Sequence, residues 1–164
     1  GVPDHVYDPR YPPEREAHRR ADPEWFATPA YAISFILDKP ARFPAGEGYG
    51  YTDTGYLLAG LVIEAACGCS YYDEARRRFL EPLGLDRTSP SDRRDIPGLV
   101  PGYLDVDNHF LMPTKTMEHG RLVWNPRSEW TGGGMATNSR DLARWAKALY
   151  EGRTTLSELQ NAAG

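Results

Sequence analysis

The segment from Asp53 to Gly68 constrains this chain more than any other. Asp53 is a good N-cap for a helix over residues 54–66, and Gly68 is a good stop. Between them Tyr56, Leu57, Leu58, Leu61, Val62, Ile63 and Ala65 surround the predicted helix on nearly every side. A helix apolar all round belongs in the middle of a core, so the remaining chain is expected to wrap it. Residues 56–63 are also the longest apolar run, interrupted at Gly60 and stopped by Glu64. That falls far short of the roughly 20 residues a membrane span needs, so no membrane span is expected.

The chain around this helix is rich in breaks. The 164 residues include 16 Gly and 14 Pro, so much of the chain must be loop. Residues 1–29 carry six prolines and little periodicity and read as a wandering surface segment. Thr28-Pro29 caps and opens a helix through Asp38, with Ile33, Ile36 and Leu37 on one face and Pro40 as its stop. A turn-rich loop over 44–50 delivers the chain to Tyr51-Thr52-Asp53. Ser70 opens a further helix, and Asp73 completes a capping-box pattern. Its inner stripe is Tyr72, Ala75 and Phe79; Arg76, Arg77 and Arg78 make a solvated flank, and Pro82 and Gly84 end it.

Residues 86–130 are the least regular, with at most a short hairpin around Asp107-Asn108. Residues 139–150 make the clearest helix: Leu142, Trp145, Ala146 and Leu149 share one face, and Gly152 caps the end. The expected fold class is mainly α, a single mostly helical domain over 1–164 with long loops and at most short β-hairpins.

Several chemistries are excluded. A net charge of −4 offers no basic field, so no nucleic acid partner is expected. Cys67 and Cys69 stand too close to bridge comfortably, and no second pair exists for a zinc site; free, half-buried thiols are expected. Asp105, Asp107, Asn108 and His109 lack the glycine and terminal Glu of a calcium loop and read as a polar turn. His5, His18, His109 and His119 show no ligand spacing and read as surface or capping residues, so no metal or cofactor is implied. None of the seven serines is followed three residues later by Lys, and G-x-S-x-G, H-E-x-x-H and the phosphate-loop pattern are absent.

One constellation stands out. The chain reads Leu37-x-x-Pro40-x-x-Phe43-Pro44-x-Gly46, then Tyr51-Thr52-Asp53-Thr54-Gly55-Tyr56, then Gly60, Glu64 and Gly68. It continues as Glu81-Pro82-Leu83-Gly84-Leu85-Asp86-Arg87-Thr88, and later as Gly132-Gly133-Gly134-Met135-Ala136-Thr137 and Asp141-Leu142-Ala143-Arg144-Trp145. In this order the pattern resembles the middle of the serine beta-lactamase and D-alanyl-D-alanine carboxypeptidase family, particularly its class C-like and esterase-like members. Gly1-Val2-Pro3-Asp4 is similar to the residues just after that family's early threonine-serine-glycine turn.

The resemblance implies a helical domain from a two-domain hydrolase, and assigns Tyr51 and Asp53 as catalytic residues. The family uses a serine with a lysine one helical turn later, a tyrosine with a polar residue two positions on, and a Lys/His-Thr-Gly strand. Only the second is present, so the Ser-x-x-Lys nucleophile is expected upstream and the closing strand downstream. Asp53 stands where asparagine is commoner. An ionised Asp only accepts hydrogen bonds, which suits a lysine partner and shifts weight toward an esterase or another acyl hydrolase. The implied partner is a small-molecule acyl substrate (amide, ester or beta-lactam), acting in the complete protein. Self-association through the exposed inter-domain face is expected of the chain alone, and a periplasmic or extracellular location is what the family implies. The rival reading is a non-catalytic binding or interaction module.

Overall fold

A computed structural model describes residues 1–152. In chain order the helices are α1 (Tyr11–Ala21), α2 (Pro29–Ser34), α3 (Asp53–Cys67), α4 (Tyr71–Ala75), α5 (Trp130–Gly133) and α6 (Ser139–Tyr150). The strands are two residues each: β1 (Ser89–Pro90), β2 (Met117–Glu118), β3 (Arg121–Leu122) and β4 (Met135–Ala136). They pair antiparallel as β1–β4 and β2–β3. The described residues are mainly helical with long loops and only short strand pairs, the fold class the sequence leads one to expect. No single helix among the described residues is long and apolar enough to cross a membrane.

Two compact units divide the chain, one of residues 1–63 and 91–134, the other of 64–90 together with the segment from 135 onward. The first is organised by its N-terminal segment, which is not the wandering surface segment expected of it. Tyr11–Ala21 is helical because Pro12 and Pro13 fall in its first turn, where proline costs no hydrogen bond. Tyr11, Ala27 and Phe35 are buried together, with Trp25 and Tyr31 packed against them. The rings of Tyr11 and Phe35 meet edge to face at 5.3 Å. Burial pushes the Tyr11 phenol up to about 12. The buried Asp8 carboxylate takes Arg10 at 3.0 Å and Lys39 at 2.7 Å. These cations hold its carboxyl well below the usual range.

α2 begins where its cap requires, with Thr28 Oγ1 accepting from Tyr31 N at 3.2 Å, but it ends at Ser34 and gives way to turns. The short hairpin expected around Asp107-Asn108 is a loop pinned by a single bridge between Tyr103 and Lys115. Its tip is the polar turn expected there, with Asn108 Nδ2 donating to the carbonyls of Asp105 and Met112.

The second unit is built on local caps. Ser70 Oγ accepts from Asp73 N at 3.1 Å, the capping arrangement its spacing predicts. After Ala75 the helix widens into a π turn, Arg76–Leu80. Asn138 caps α6 by accepting from Asp141 N at 2.9 Å. Asp141, buried, receives Arg87 N at 2.7 Å and the Thr88 hydroxyl at 3.1 Å. Phe79 and Trp145 meet edge to face at 5.4 Å.

Two burial expectations fail. On α3 only Thr54, Leu57 and Gly60 are buried, while Tyr56, Leu58, Leu61, Val62 and Ile63 are exposed. On α6 the buried residues are Asp141 and Ala148, and Leu142 and Leu149 are exposed. Apolar periodicity identifies a face that avoids water; it does not supply the surface that covers it.

The cysteines are also corrected. Cys67 and Cys69 are joined as a disulfide, with Cα atoms 5.3 Å apart. Gly68 between them takes φ +65°, a conformation in which only glycine is unstrained, and this folds the two flanking residues toward each other.

Candidate active site

The head of α3 and the residues just before it carry both positions singled out from the sequence. Tyr51 stands just before the helix and Asp53 is its first residue. The Tyr51 hydroxyl donates to Asp53 Oδ1 at 2.8 Å. Tyr51 is 52% exposed, so its phenol is open to a ligand. The Tyr51 phenol is pushed up to about 12, first by the hydrogen bond to Asp53 and then by partial burial and the carboxylate's charge. It is a neutral proton donor at pH 7.

Asp53 does not cap its own helix, as its position before a helical run leads one to expect. Its carboxylate is engaged by Tyr51, and the Asp53 backbone N–H donates to Asp4 Oδ2 at 3.2 Å. Asp4 also accepts from Val6 N at 3.1 Å through Oδ1. The neighbouring residues dock in parallel: the N–H of His5 donates to Thr54 Oγ1 at 2.9 Å, and His5 Nδ1 lies 2.8 Å from the same oxygen. Thr52 Oγ1 donates to the Pro3 carbonyl at 3.1 Å. A run of N-terminal residues is thereby laced along residues 52–54.

This support includes His5, which is buried rather than a surface or capping histidine. Burial lowers its pKa, opposed by the carboxylates of Asp4 and Asp53, and favours the neutral imidazole. From the other side, Arg42 Nη1 donates to the Tyr51 carbonyl at 3.2 Å. The Tyr51 and Tyr56 rings lie 5.7 Å apart.

The glycine-rich turn also belongs to this neighbourhood. Thr131 Oγ1 donates to the Tyr56 carbonyl at 2.7 Å. A Cβ on Gly60 would lie 2.4 Å from Thr131 Cγ2 and 2.8 Å from ring atoms of Trp130, so the turn crosses α3 where the helix has no side chain. Asp4, His5, Arg42 and Thr54 are therefore structural parts of the site that reading along the chain did not assign. The one signal for them is the Gly1-Val2-Pro3-Asp4 resemblance, which places Asp4 without giving it a partner.

The family model described as Beta-lactamase matches residues 1–163. Penicillin-binding protein 4* of Bacillus subtilis (strain 168) is 30% identical over 115 residues, covering 66% of this chain and 25% of that protein. The D-stereospecific amidohydrolase from Streptomyces sp. superposes with a TM-score of 0.76 at 27% identity, covering 94% of this chain and 44% of that one. The octameric penicillin-binding protein homologue from Pyrococcus abyssi gives a TM-score of 0.59 at 25% identity, with 92% of this chain and 32% of that one covered. The chain thus spans about a quarter of the curated relative and less than half of these solved structures.

Proposed function

The chain belongs to the beta-lactamase family, and from that premise we propose that it is the helical portion of a serine acyl-hydrolase, with Tyr51 and Asp53 as its contribution to the active site. The observation that carries this reading is the 2.8 Å hydrogen bond between an open phenol and an acceptor-only carboxylate at the head of α3. Covalent acyl transfer needs an activated nucleophile, and no serine here has a lysine at helical spacing. The serine and its lysine, like the closing strand, then belong to sequence beyond these 164 residues.

In the complete protein, the lysine ammonium is the natural partner for Asp53. A carboxylate accepts from an ammonium with charge assistance, in competition with the Tyr51 hydroxyl. Positive charge beside the phenol lowers its pKa, and loss of the Asp53 hydrogen bond lowers it further. Tyr51 is then able to exchange a proton with the serine hydroxyl or the leaving group. The substrate class is a small acyl amide or ester. An amide is favoured by the likeness to an amidohydrolase, and the acceptor-only Asp53 gives no donor for an amide carbonyl, so that contact falls to other groups.

Two assays test the reading. The isolated chain, treated with a fluorescent penicillin and with short-chain nitrophenyl esters, is expected to form no covalent adduct and give no turnover. A stoichiometric acyl adduct on any of its serines would sink the missing-nucleophile reading; of these, Ser157 lies outside the described residues. In the full-length protein, Tyr51→Phe is expected to lower turnover about 10²–10⁴-fold, the range for loss of a general acid-base group. Unchanged turnover removes Tyr51 from the mechanism.

A further inference from the structure

The chemistry left unused by this reading lies in the second unit, at the end of α3. Cys67, Cys69 and Glu74 each point a ligand atom into one small space, and these atoms lie within 4.8 Å of one another. We propose that Cys67, Cys69 and Glu74 form a reduction-gated binding site for a thiophilic divalent cation such as Zn²⁺: closed while the disulfide stands, open once it is reduced.

The disulfide has little structural work to do. It joins residues two apart, so it closes almost no loop in the unfolded chain and contributes little of the entropy by which long-range disulfides stabilise. Cys67 is exposed, so an external thiol has access to a sulfur. Exposed disulfides of this kind are the exchangeable ones.

The surrounding backbone is held without the bridge. Gly68 N donates to the Glu64 carbonyl at 2.9 Å, and Tyr71 N donates to Glu64 Oε1 at 2.9 Å. The Ser70–Asp73 cap then fixes the start of α4. Both thiols therefore stay side by side after reduction. Cys69 Sγ already lies 3.9 Å from Glu74 Oε2. Zinc bonds of about 2.3 Å to sulfur and 2.0 Å to oxygen, at a tetrahedral angle, ask for a ligand separation close to this.

Glu74 is the buried member, and Arg77 and Arg78 pair with it, Arg77 at 2.8 Å. These cations keep its carboxyl below the usual range, in the form that binds metal. They also oppose a dication, but their side chains are 66% and 48% exposed and can swing into water when the metal takes their place. Three protein donors leave the fourth tetrahedral position to solvent or a ligand.

The chemistry balances with a reductant of the dithiol class. Its two thiols pass two electrons and two protons to the Sγ–Sγ bond, which breaks to give the Cys67 and Cys69 thiols, and the reductant leaves as a disulfide. Cation binding then releases the two thiol protons to solvent.

The test uses the whole chain, oxidised or reduced with a phosphine, and Co²⁺ or Zn²⁺ alone as the probe. Reduced protein is expected to bind one Co²⁺ per chain with a thiolate-to-metal charge-transfer band, and Zn²⁺ is expected to displace it. Oxidised protein, and reduced Cys67→Ser/Cys69→Ser, are expected to show neither. Glu74→Gln is expected to keep the band and weaken binding, since a neutral amide replaces the anionic carboxylate donor. Absence of the band in reduced protein, or equal binding by the oxidised chain, overturns the site. Unchanged affinity in Glu74→Gln overturns the assignment of Glu74 as a ligand. None of these readouts depends on acyl transfer.

Discussion

Tyr51 and Asp53 are bound to each other, the hydroxyl of one donating to a carboxylate oxygen of the other across a single intervening residue. This bond is the leading cause of the high phenol pKa, about 12. Replacing Asp53 with Asn removes the charge but keeps an acceptor. The phenol of Asp53→Asn is therefore expected to titrate closer to the ordinary value of about 10. Ultraviolet difference titration against Tyr51→Phe in each background isolates this tyrosine. An unshifted titration would show that Asp53 does not set the pKa of Tyr51.

Gly60 is where the glycine-rich turn crosses α3, and no side chain fits there. In Gly60→Ala the new Cβ falls 2.4 Å from Thr131 Cγ2. Thr131 cannot retreat without giving up its 2.7 Å hydrogen bond to the Tyr56 carbonyl. Alanine gains about 1 kcal/mol in helix propensity, against an overpacking cost of ~1–3 kcal/mol. A net loss of stability is expected in urea unfolding; a gain would mean that the turn moves freely.

His5 gives the molecule a pH dependence of known sign. Its folded pKa is lowered, so the unfolded chain binds the proton more readily. The stability this contributes is fully present above the unfolded pKa of about 6.5 and is lost as pH falls from there through the folded pKa. Urea midpoints at pH 7.5 and 5.5 are expected to differ less in His5→Gln than in wild type. Equal differences would show that the buried imidazole protonates without penalty.

The exposed apolar face of α3 is expected to drive self-association of the isolated chain. Val62 is 67% exposed among Leu58, Leu61 and Ile63, an apolar patch of the kind that marks an interaction surface. Sedimentation velocity is expected to show concentration-dependent association that Val62→Glu weakens. A strictly monomeric wild-type chain at high concentration would show that this face does not self-pair.

Where both partners of an interaction lie within a few residues, the sequence is legible. Thr28 to Tyr31 and Ser70 to Asp73 are caps whose donor and acceptor are three residues apart, and both form as their spacing predicts. Tyr51 and Asp53 are singled out by the family resemblance and not by their spacing, and neither their hydrogen bond to each other nor the residues that hold them are announced by it. Asp4 reaches Asp53 across 49 residues, and nothing in either local pattern announces the other. Pro12-Pro13 misleads in another way, since proline breaks a helix interior but suits a helix's first turn. The Cys67–Cys69 bridge depends on the backbone angle of Gly68, which composition does not reveal.

The cap that Asp4 supplies to α3 also bears on the order in which the molecule assembles. A cap drawn from an adjacent residue is available as soon as a helix nucleates. This one, and the Thr54–His5 contact beside it, requires closure of a loop of 49 residues, an entropic cost met only after distant segments have found each other. The middle of α3 is therefore free to form early, while the turn bearing Asp53 waits for the N-terminus to arrive. Pulsed amide exchange during refolding is expected to protect Leu61 before Asp53, and the reverse order would contradict this. Asp53, one of the two residues proposed for catalysis, would then be among the last in α3 to settle.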